Sequence, residues 1–369
     1  MADLALTLFL YGTLRHLDLL EVVLGRRPAA DELTPAVLDH AAVTWVAGES
    51  YPMIRLGLPD AQATGLLLSG LSAEDRARLD FYEGGFGYDV VDVTTSAGDA
   101  QMYLPGPQVG PPGAPFDLDT WVADWGGLSV EAACEVMRHM GVRPATEVAR
   151  MFPAIRKRAG SRLRAGQKPT GGTGRIEFDS RHLAYADFYA LEDFTLRTET
   201  FDGDMTPPLR RAVFHGMDAA LVLPYDPVRD RVLLVEQARL GPIARGDAGA
   251  WQLEPIAGHV DPGETPEEAA RREAQEEARL DLQSLELVAE AYASPGGSTD
   301  FFYIYVGIAD LPDGSDGVAG LESEGENIRS HLLDFDDFMA RLDAQQLSVA
   351  PLVLAGYWLA RHRDRLRSA

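Results

Sequence analysis

Residues 258–280 read GHVDPGETPEEAARREAQEEARL, a turn that runs into a helix loaded with acid on one side. Thr265 is placed to cap that helix, Pro266 suits its first position, and Glu268 stands where a capping box takes its carboxylate. Glu267, Glu268, Glu273, Glu276 and Glu277 follow along it. Glu273 and Glu277 fall one turn apart on one face, with Glu276 beside them. Like charges at this spacing repel, and only Arg271 and Arg272 precede the cluster to offset them. The pattern therefore asks for a cation that the sequence lacks. Hard oxygen ligands in this number suit Mg²⁺ or Mn²⁺, completed by substrate phosphates. A charge run of this kind is also compatible with a solvated helix face, so the surrounding register has to decide.

That register is Gly258, Glu264, Arg272-Glu273 and Glu276-Glu277, and it resembles the Nudix box of nucleoside diphosphate-X hydrolases. The box usually has Gly after its last glutamate pair, where this chain has Arg279, so the helix end is expected to differ. Upstream, DAALVLPYDPVRDRVLLVEQARLG (218–241) shows two apolar runs around Asp226-Pro227, a hairpin signal, and LEPIAG (253–258) follows. Downstream lie ASPGG (293–297) and GLESEGENIRSH (320–331). Together these resemble the ADP-ribose pyrophosphatase branch of the superfamily, which includes tellurite-resistance-associated relatives, over Arg175 to the C-terminus.

The resemblance implies a set of roles. Metal falls on the backbone carbonyl of Ala257 and the carboxylates of Glu273 and Glu277, with Glu276 close by in the catalytic set. The catalytic glutamate of the following loop falls on Glu324, with Glu326 the nearest substitute. Arg239 and Arg211 match arginines that hold phosphates or the terminal ribose, and Ser294 and Gly296 line the pocket; Asp300 stands where relatives often have Glu. The expected activity is Mg²⁺-dependent (Mn²⁺ as substitute) cleavage of ADP-ribose, or of a related nucleoside diphosphate sugar, to AMP and ribose 5-phosphate. A homodimer through this domain is also implied. The chemistry suits the residues, because metal neutralises a diphosphate, an arginine fork clamps its oxygens, and a loop carboxylate takes the proton of water.

The other half opens LTLFLYGTLRH (6–16), a hydrophobic strand running into Tyr11-Gly12-Thr13-Leu14, where a glycine turn leaves backbone N–H groups to face an anion. With SYPMI (50–54), ATGLLLSGLS (63–72) and LDFYEGGFGYDVVDV (79–93), it resembles the gamma-glutamylcyclotransferase-like, or AIG2-like, family over about Leu4 to Leu104. There Glu83 takes the place of the catalytic acid/base, and Tyr11, Gly12, Thr13 and Leu14 that of the substrate-binding turn. The family commonly has an arginine shortly after its tyrosine, whereas Tyr88 is followed by Asp89, Val90 and Val91. A carboxyl among Phe81, Tyr82 and Phe86 has reason to hold its proton to high pH.

A length of 369 residues suggests two or three domains. The expected fold is mixed α+β and α/β. A cyclotransferase-like β-barrel with helices spans 1–117, a helical extension and linker 118–174, and a Nudix α/β/α sandwich 175–369, whose residues 175–215 form a small dimerising β subdomain. KPTGGTG (168–174) reads as the linker. The basic run RKRAGSRLR (156–164) reads as a solvated helix end or a grip on the other domain. A net charge of −24 argues against nonspecific nucleic-acid binding. No apolar stretch has membrane-spanning length and no leader is evident, so the expectation is a cytoplasmic protein. The lone Cys134 is expected in the core, and His259 and His331 as packing or solvent residues. Two other readings stay open: a cyclotransferase with an accessory Nudix domain, or an ADP-ribose-binding sensor without efficient turnover.

Overall fold

The computed structural model describes residues 7–107, 109–167, 171–172, 174–320 and 327–368, in two compact units. The first comprises Met1–Thr173 with Ala186–Phe188, the second Gly174–Tyr185 with Tyr189–Ala369.

The first unit runs β1 (Leu8–Leu10), α1 (Leu17–Leu24), β2 (Leu33–Asp39), β3 (Ala41–Val46), β4 (Pro52–Leu56), β5 (Gln62–Leu68), α2 (Ala73–Gly84), β6 (Tyr88–Thr95), β7 (Gly98–Pro105), β8 (Pro112–Pro115), α3 (Leu118–Trp121), α4 (Gly127–Met137) and α5 (Ala145–Gln167). Its strands form a five-stranded sheet in the order β2-β5-β1-β7-β6 and a three-stranded sheet β4-β3-β8. Only β1 and β7 run parallel in the first of these. Phe9, Leu38, Ile54, Leu67 and Met102 fill the core beneath them. Ser72 caps α2 by accepting from the Asp75 N–H at 3.0 Å, while the Asp75 carboxylate accepts from the Ser72 N–H at 2.9 Å.

Two sequence readings need correction in the helices. Cys134 is exposed, because α4 turns Leu128, Ala132, Ala133 and Val136 inward instead. The basic run is not merely a solvated end. Arg158 is 2% exposed and its fork meets the Glu135 carboxylate at 2.5 and 3.0 Å, while Arg162 reaches Glu131 and Glu135 at 3.2 and 3.1 Å. Burial alone would raise the Glu135 carboxyl, but Arg158 and Arg162 hold it below its usual range.

The second unit begins with three antiparallel strands, β9 (Ile176–Ala186), β10 (Ala190–Thr198) and β11 (Leu209–His215), in the order β11-β10-β9. Then come β12 (Asp218–Asp226), β13 (Arg231–Ala238), α6 (Leu240–Arg245), β14 (Trp251–Glu254), β15 (Ile256–His259), α7 (Pro266–Ala278), β16 (Ser284–Tyr292), β17 (Phe301–Ile308), β18 (Val318–Ala319), β19 (Ile328–Asp334), α8 (Phe335–Asp343) and α9 (Ala350–Arg367). The main sheet is β16-β17-β12-β13-β19-β18, with β14 pairing β13 and β15 pairing β12. β12 is buried on both faces, and its two-residue period sorts the layers. Ala220 and Val222 pack with Ala269, Ala270, Ala274 and Ala278 of α7, whereas Leu221, Leu223 and Tyr225 pack with Phe338, Leu342, Leu352 and Leu359 of α8 and α9. The result is an α/β/α sandwich. An all-alanine face lets α7 lie close on the sheet, which brings its acidic residues to β15.

The hairpin between β12 and β13 forms as its sequence predicts. The buried Asp226 carboxylate accepts from the Val228 and Arg229 N–H groups at 2.9 and 3.0 Å, and Asp230 closes the turn with a φ of 59°.

Candidate active sites

The acidic helix starts as its sequence requires: the Thr265 hydroxyl accepts from the Glu268 N–H at 3.2 Å, and the Glu268 carboxylate accepts from the Thr265 N–H at 2.8 Å. Its far end keeps the expected geometry of the glycine it lacks. Arg279 adopts φ 55°, ψ 36°, and the Leu280 and Arg279 N–H groups bond to the carbonyls of Ala274 and Gln275. The helix end therefore does not differ, and the left-handed turn is formed by a non-glycine residue.

Glu277 is 1% exposed, and its carboxylate accepts from the Ala257 N–H of β15 at 3.3 Å. Glu273 lies over Gly258, where a Cβ would overlap its carboxylate; this close approach is why glycine stands there. The reading that a cation is missing from the sequence needs amendment. Arg272 forms ion pairs with Glu264 at 2.9 Å, Glu273 at 2.5 Å and Glu276 at 3.1 Å, and donates to the His259 carbonyl at 3.1 Å. No group of three or more His, Cys, Asp or Glu among the described residues is arranged as a finished metal cage. The donor set still fits a hard divalent ion. Glu277 and Glu273 are buried or nearly so, stand against the Ala257-Gly258 backbone, and offer oxygen alone.

Arg239, at the end of β13, is oriented by Glu254: Nε donates at 2.9 and 3.0 Å and Nη2 at 2.6 Å. Burial works to lower its pKa, but Glu254 and, at longer range, Glu277 and Tyr189 raise it. Arg239 is thus within electrostatic reach of the acidic helix, and its Nη1 has no hydrogen-bond partner among the described residues. Sequence reasoning missed Glu254 as its holder, although Glu254 lies inside the quoted LEPIAG stretch. Ser294 and Gly296 sit in a turn closed by the Gly297 and Ser298 N–H groups donating to the Ser294 carbonyl, and the Gly297 carbonyl accepts from Phe214 N–H at 2.9 Å. Arg211 is exposed on β11, opposite Phe194, and its hydrogen bond goes to the Arg210 carbonyl. Asp300 packs over Gly216 and bonds to Ser298. His331 pairs with Glu236 at 2.8 Å. Glu324 and Glu326 lie outside the described residues; Gly320, just before them, donates to the Glu276 carbonyl at 3.4 Å.

The first unit carries a second site. Tyr11, Gly12, Thr13 and Leu14 line one cleft with Glu83, as the sequence groups them, together with Tyr51, Pro52, Tyr88 and Tyr103. It leaves about 450 Å³ of free space, part of it open to solvent. The Tyr11 hydroxyl donates to the Tyr103 carbonyl at 2.8 Å, and the Tyr103 hydroxyl to Asp80 at 2.7 Å, which fixes the wall. Burial pushes the Glu83 carboxyl up to about 7, and the same burial, then Glu83 itself, raises Tyr82 and Tyr88. The Glu83 carboxyl has no hydrogen-bond partner among the described residues. A carboxyl near neutrality in an aromatic cleft is suited to proton transfer.

Comparisons with known proteins cover both domains. Residues 216–352 match the NUDIX domain family, and residues 8–123 match the family described as gamma-glutamyl cyclotransferase, AIG2-like. The ADP-ribose pyrophosphatase of Escherichia coli is 36% identical over 199 residues, 54% of this chain and 94% of that protein. The ADP-ribose pyrophosphatase of Haemophilus influenzae is 32% identical over 160 residues, covering 43% and 73%. The GDP-mannose pyrophosphatase of Yersinia pestis is 31% identical over 131 residues, covering 36% and 65%. A solved structure described as "Crystal structure of ADP compounds hydrolase" aligns over 54% of this chain and all of its own, at 20% identity and a TM-score of 0.41. The chain belongs to the Nudix hydrolase family and carries an AIG2-like domain before its Nudix domain.

Proposed function

We propose that the C-terminal domain hydrolyses the phosphoanhydride of ADP-ribose, or of a related nucleoside diphosphate sugar, to AMP and ribose 5-phosphate in the ADP-ribose case. The carrying observation is the pair Glu273 and Glu277, pressed by α7 against the Ala257-Gly258 backbone with the open edge of Arg239 within electrostatic reach. The names of the relatives support the substrate class. Glu273, Glu277 and the Ala257 carbonyl would hold Mg²⁺ or Mn²⁺, which when bound offsets diphosphate charge and acidifies water. Arg239, braced by Glu254, presents Nη1 to a phosphate oxygen. Glu324, from the segment that follows Gly320, takes the proton of the attacking water, and Glu276 belongs to the same catalytic set. Ser294 and Gly296 shape the sugar end of the pocket.

Arg211 would serve across a homodimer. Ile176 and Phe178 on one face of the three-stranded sheet, and Tyr185 and Leu191 on the other, are exposed apolar side chains, which supports pairing of two copies there. A cytoplasmic location accords with the acidic composition, and no described helix is long and apolar enough to cross a membrane.

In the N-terminal domain we assign gamma-glutamylcyclotransferase-type chemistry. The α-amine of a γ-glutamyl substrate attacks its own side-chain amide carbonyl, the new C–N bond closes 5-oxoproline, and the old C–N bond breaks to release an amine. Glu83 takes the proton from the attacking amine and returns it to the leaving one.

Release of AMP from a panel of nucleoside diphosphate sugars with Mg²⁺ tests the first activity. Glu277→Gln should lower turnover on the order of 10²-fold or more with an unchanged circular dichroism spectrum. Full turnover by that variant would end this reading, and tight binding with no turnover by the unaltered chain would favour a sensor. Release of 5-oxoproline, lost in Glu83→Gln, tests the second.

A further inference from the structure

α5 lies beyond the residues matched to the cyclotransferase family, yet one of its faces packs on Gly85 and Phe86, which directly follow the cleft residue Glu83 and its neighbour Gly84. Ala145, Ala149, Phe152 and Arg156 recur at helical spacing, so they share that face. The first two press on Gly85, two residues after Glu83: a Cβ there would stand 2.5 Å from the Ala145 carbonyl and 2.8 Å from the Ala149 methyl. Phe152 meets Phe86 edge to face at 5.1 Å. Next on the stripe comes Arg156.

Its surroundings differ from those of its neighbours on the helix. Arg158 and Arg162 are committed to Glu135 and Glu131, whereas Arg156 has no hydrogen bond or ion pair among the described residues. The guanidinium is half-buried and stands 5.3 Å over the Trp125 ring. Burial lowers its pKa, and Glu49, Tyr82 and Tyr51 act on it from longer range. Tyr51 lines the cleft with Glu83, and Tyr82 precedes Glu83 on α2. A planar fork of five donors, held by stacking and lacking an acceptor, matches a carboxylate brought by a ligand.

We infer that Arg156 is the anion-binding group of the N-terminal cleft: it receives a carboxylate of a γ-glutamyl substrate whose amide reaches Glu83, so the helical extension completes this site. The inference deepens the cyclotransferase reading and rests on it only for the reacting end.

The full chain is titrated calorimetrically with γ-glutamylalanine, and 5-oxoproline release from the same compound is followed in parallel. Arg156→Met should weaken binding at least tenfold and raise KM more than it lowers kcat, Arg156→Lys should restore part of the loss, and the melting temperature should hold. Unchanged affinity in Arg156→Met, or no binding by the unaltered chain, overturns the inference. Binding that depends on Arg156 without any 5-oxoproline leaves the anion site standing and removes the catalytic reading. Turnover with an unaltered KM in Arg156→Met does the reverse.

Discussion

Arg279 shows how a single residue records a constraint of the fold. The turn after α7 requires a left-handed conformation, and an L side chain there is strained by roughly 1 kcal/mol or more. Its side chain is exposed, so little is lost on truncation. Arg279→Gly relieves the strain but adds freedom to the unfolded chain, so a net gain of about 0.5–1 kcal/mol is expected, a rise of roughly 1–3 °C in the melting temperature of the C-terminal domain. A fall in that temperature would refute the argument. Glu83 poses the opposite problem, stability set aside for function. In the folded state its carboxyl keeps a proton up to about 7, while its ordinary value is 4.5. Between these values the folded state binds more protons than the unfolded one, so stability falls as pH rises from about 4.5 through about 7. Glu83→Gln removes that dependence. Melting temperatures of the N-terminal domain across pH 4 to 8 should decline in the unaltered chain and flatten in the variant, and parallel curves would contradict the assignment of a raised carboxyl.

At the scale of elements, the α4–α5 pair is held by charge as well as by packing. Arg158 is buried, so deleting Glu135 leaves its guanidinium in an apolar place with part of its donors unmet. Glu135→Ala is expected to destabilise the N-terminal domain by about 3 kcal/mol, measured by urea unfolding, because breaking a buried pair from one side exposes the desolvation penalty of the other. A loss under about 1 kcal/mol would mean that water reaches Arg158. This pair also shows where sequence reading stops. The cap at Thr265, the hairpin at Asp226 and the glutamate spacing of α7 were legible, since each is a relation among residues a few positions apart. The grouping of Tyr11–Leu14 with Glu83 was legible through the family pattern. Arg272 as the holder of three glutamates, Glu254 as the brace of Arg239, the outward turn of Cys134 and the lack of a hydrogen bond or ion pair to Arg156 among the described residues were not. The charged ones depend on which of several like-charged residues meets a given partner across the chain, and Cys134 depends on how α4 is rotated about its own axis.

For the whole molecule, the two compact units have separate cores: Phe9, Leu67 and Met102 belong to one, Val222, Leu233, Tyr225 and Phe338 to the other. Cooperativity follows shared burial, so cores that share no residues are expected to unfold independently. Differential scanning calorimetry of the full chain should resolve two transitions. The substitutions above assign them without cutting the chain, since Glu83→Gln at pH 8 should move one transition upward and leave the other in place, and Arg279→Gly should do the converse. Added Mg²⁺ with a nucleoside diphosphate sugar analogue should raise only the transition that answers to Arg279, by the linkage between binding and folding. A single transition shifted by both substitutions would show that the two cores melt as one, and the separation of the chain into independently stable catalytic units would fail with it.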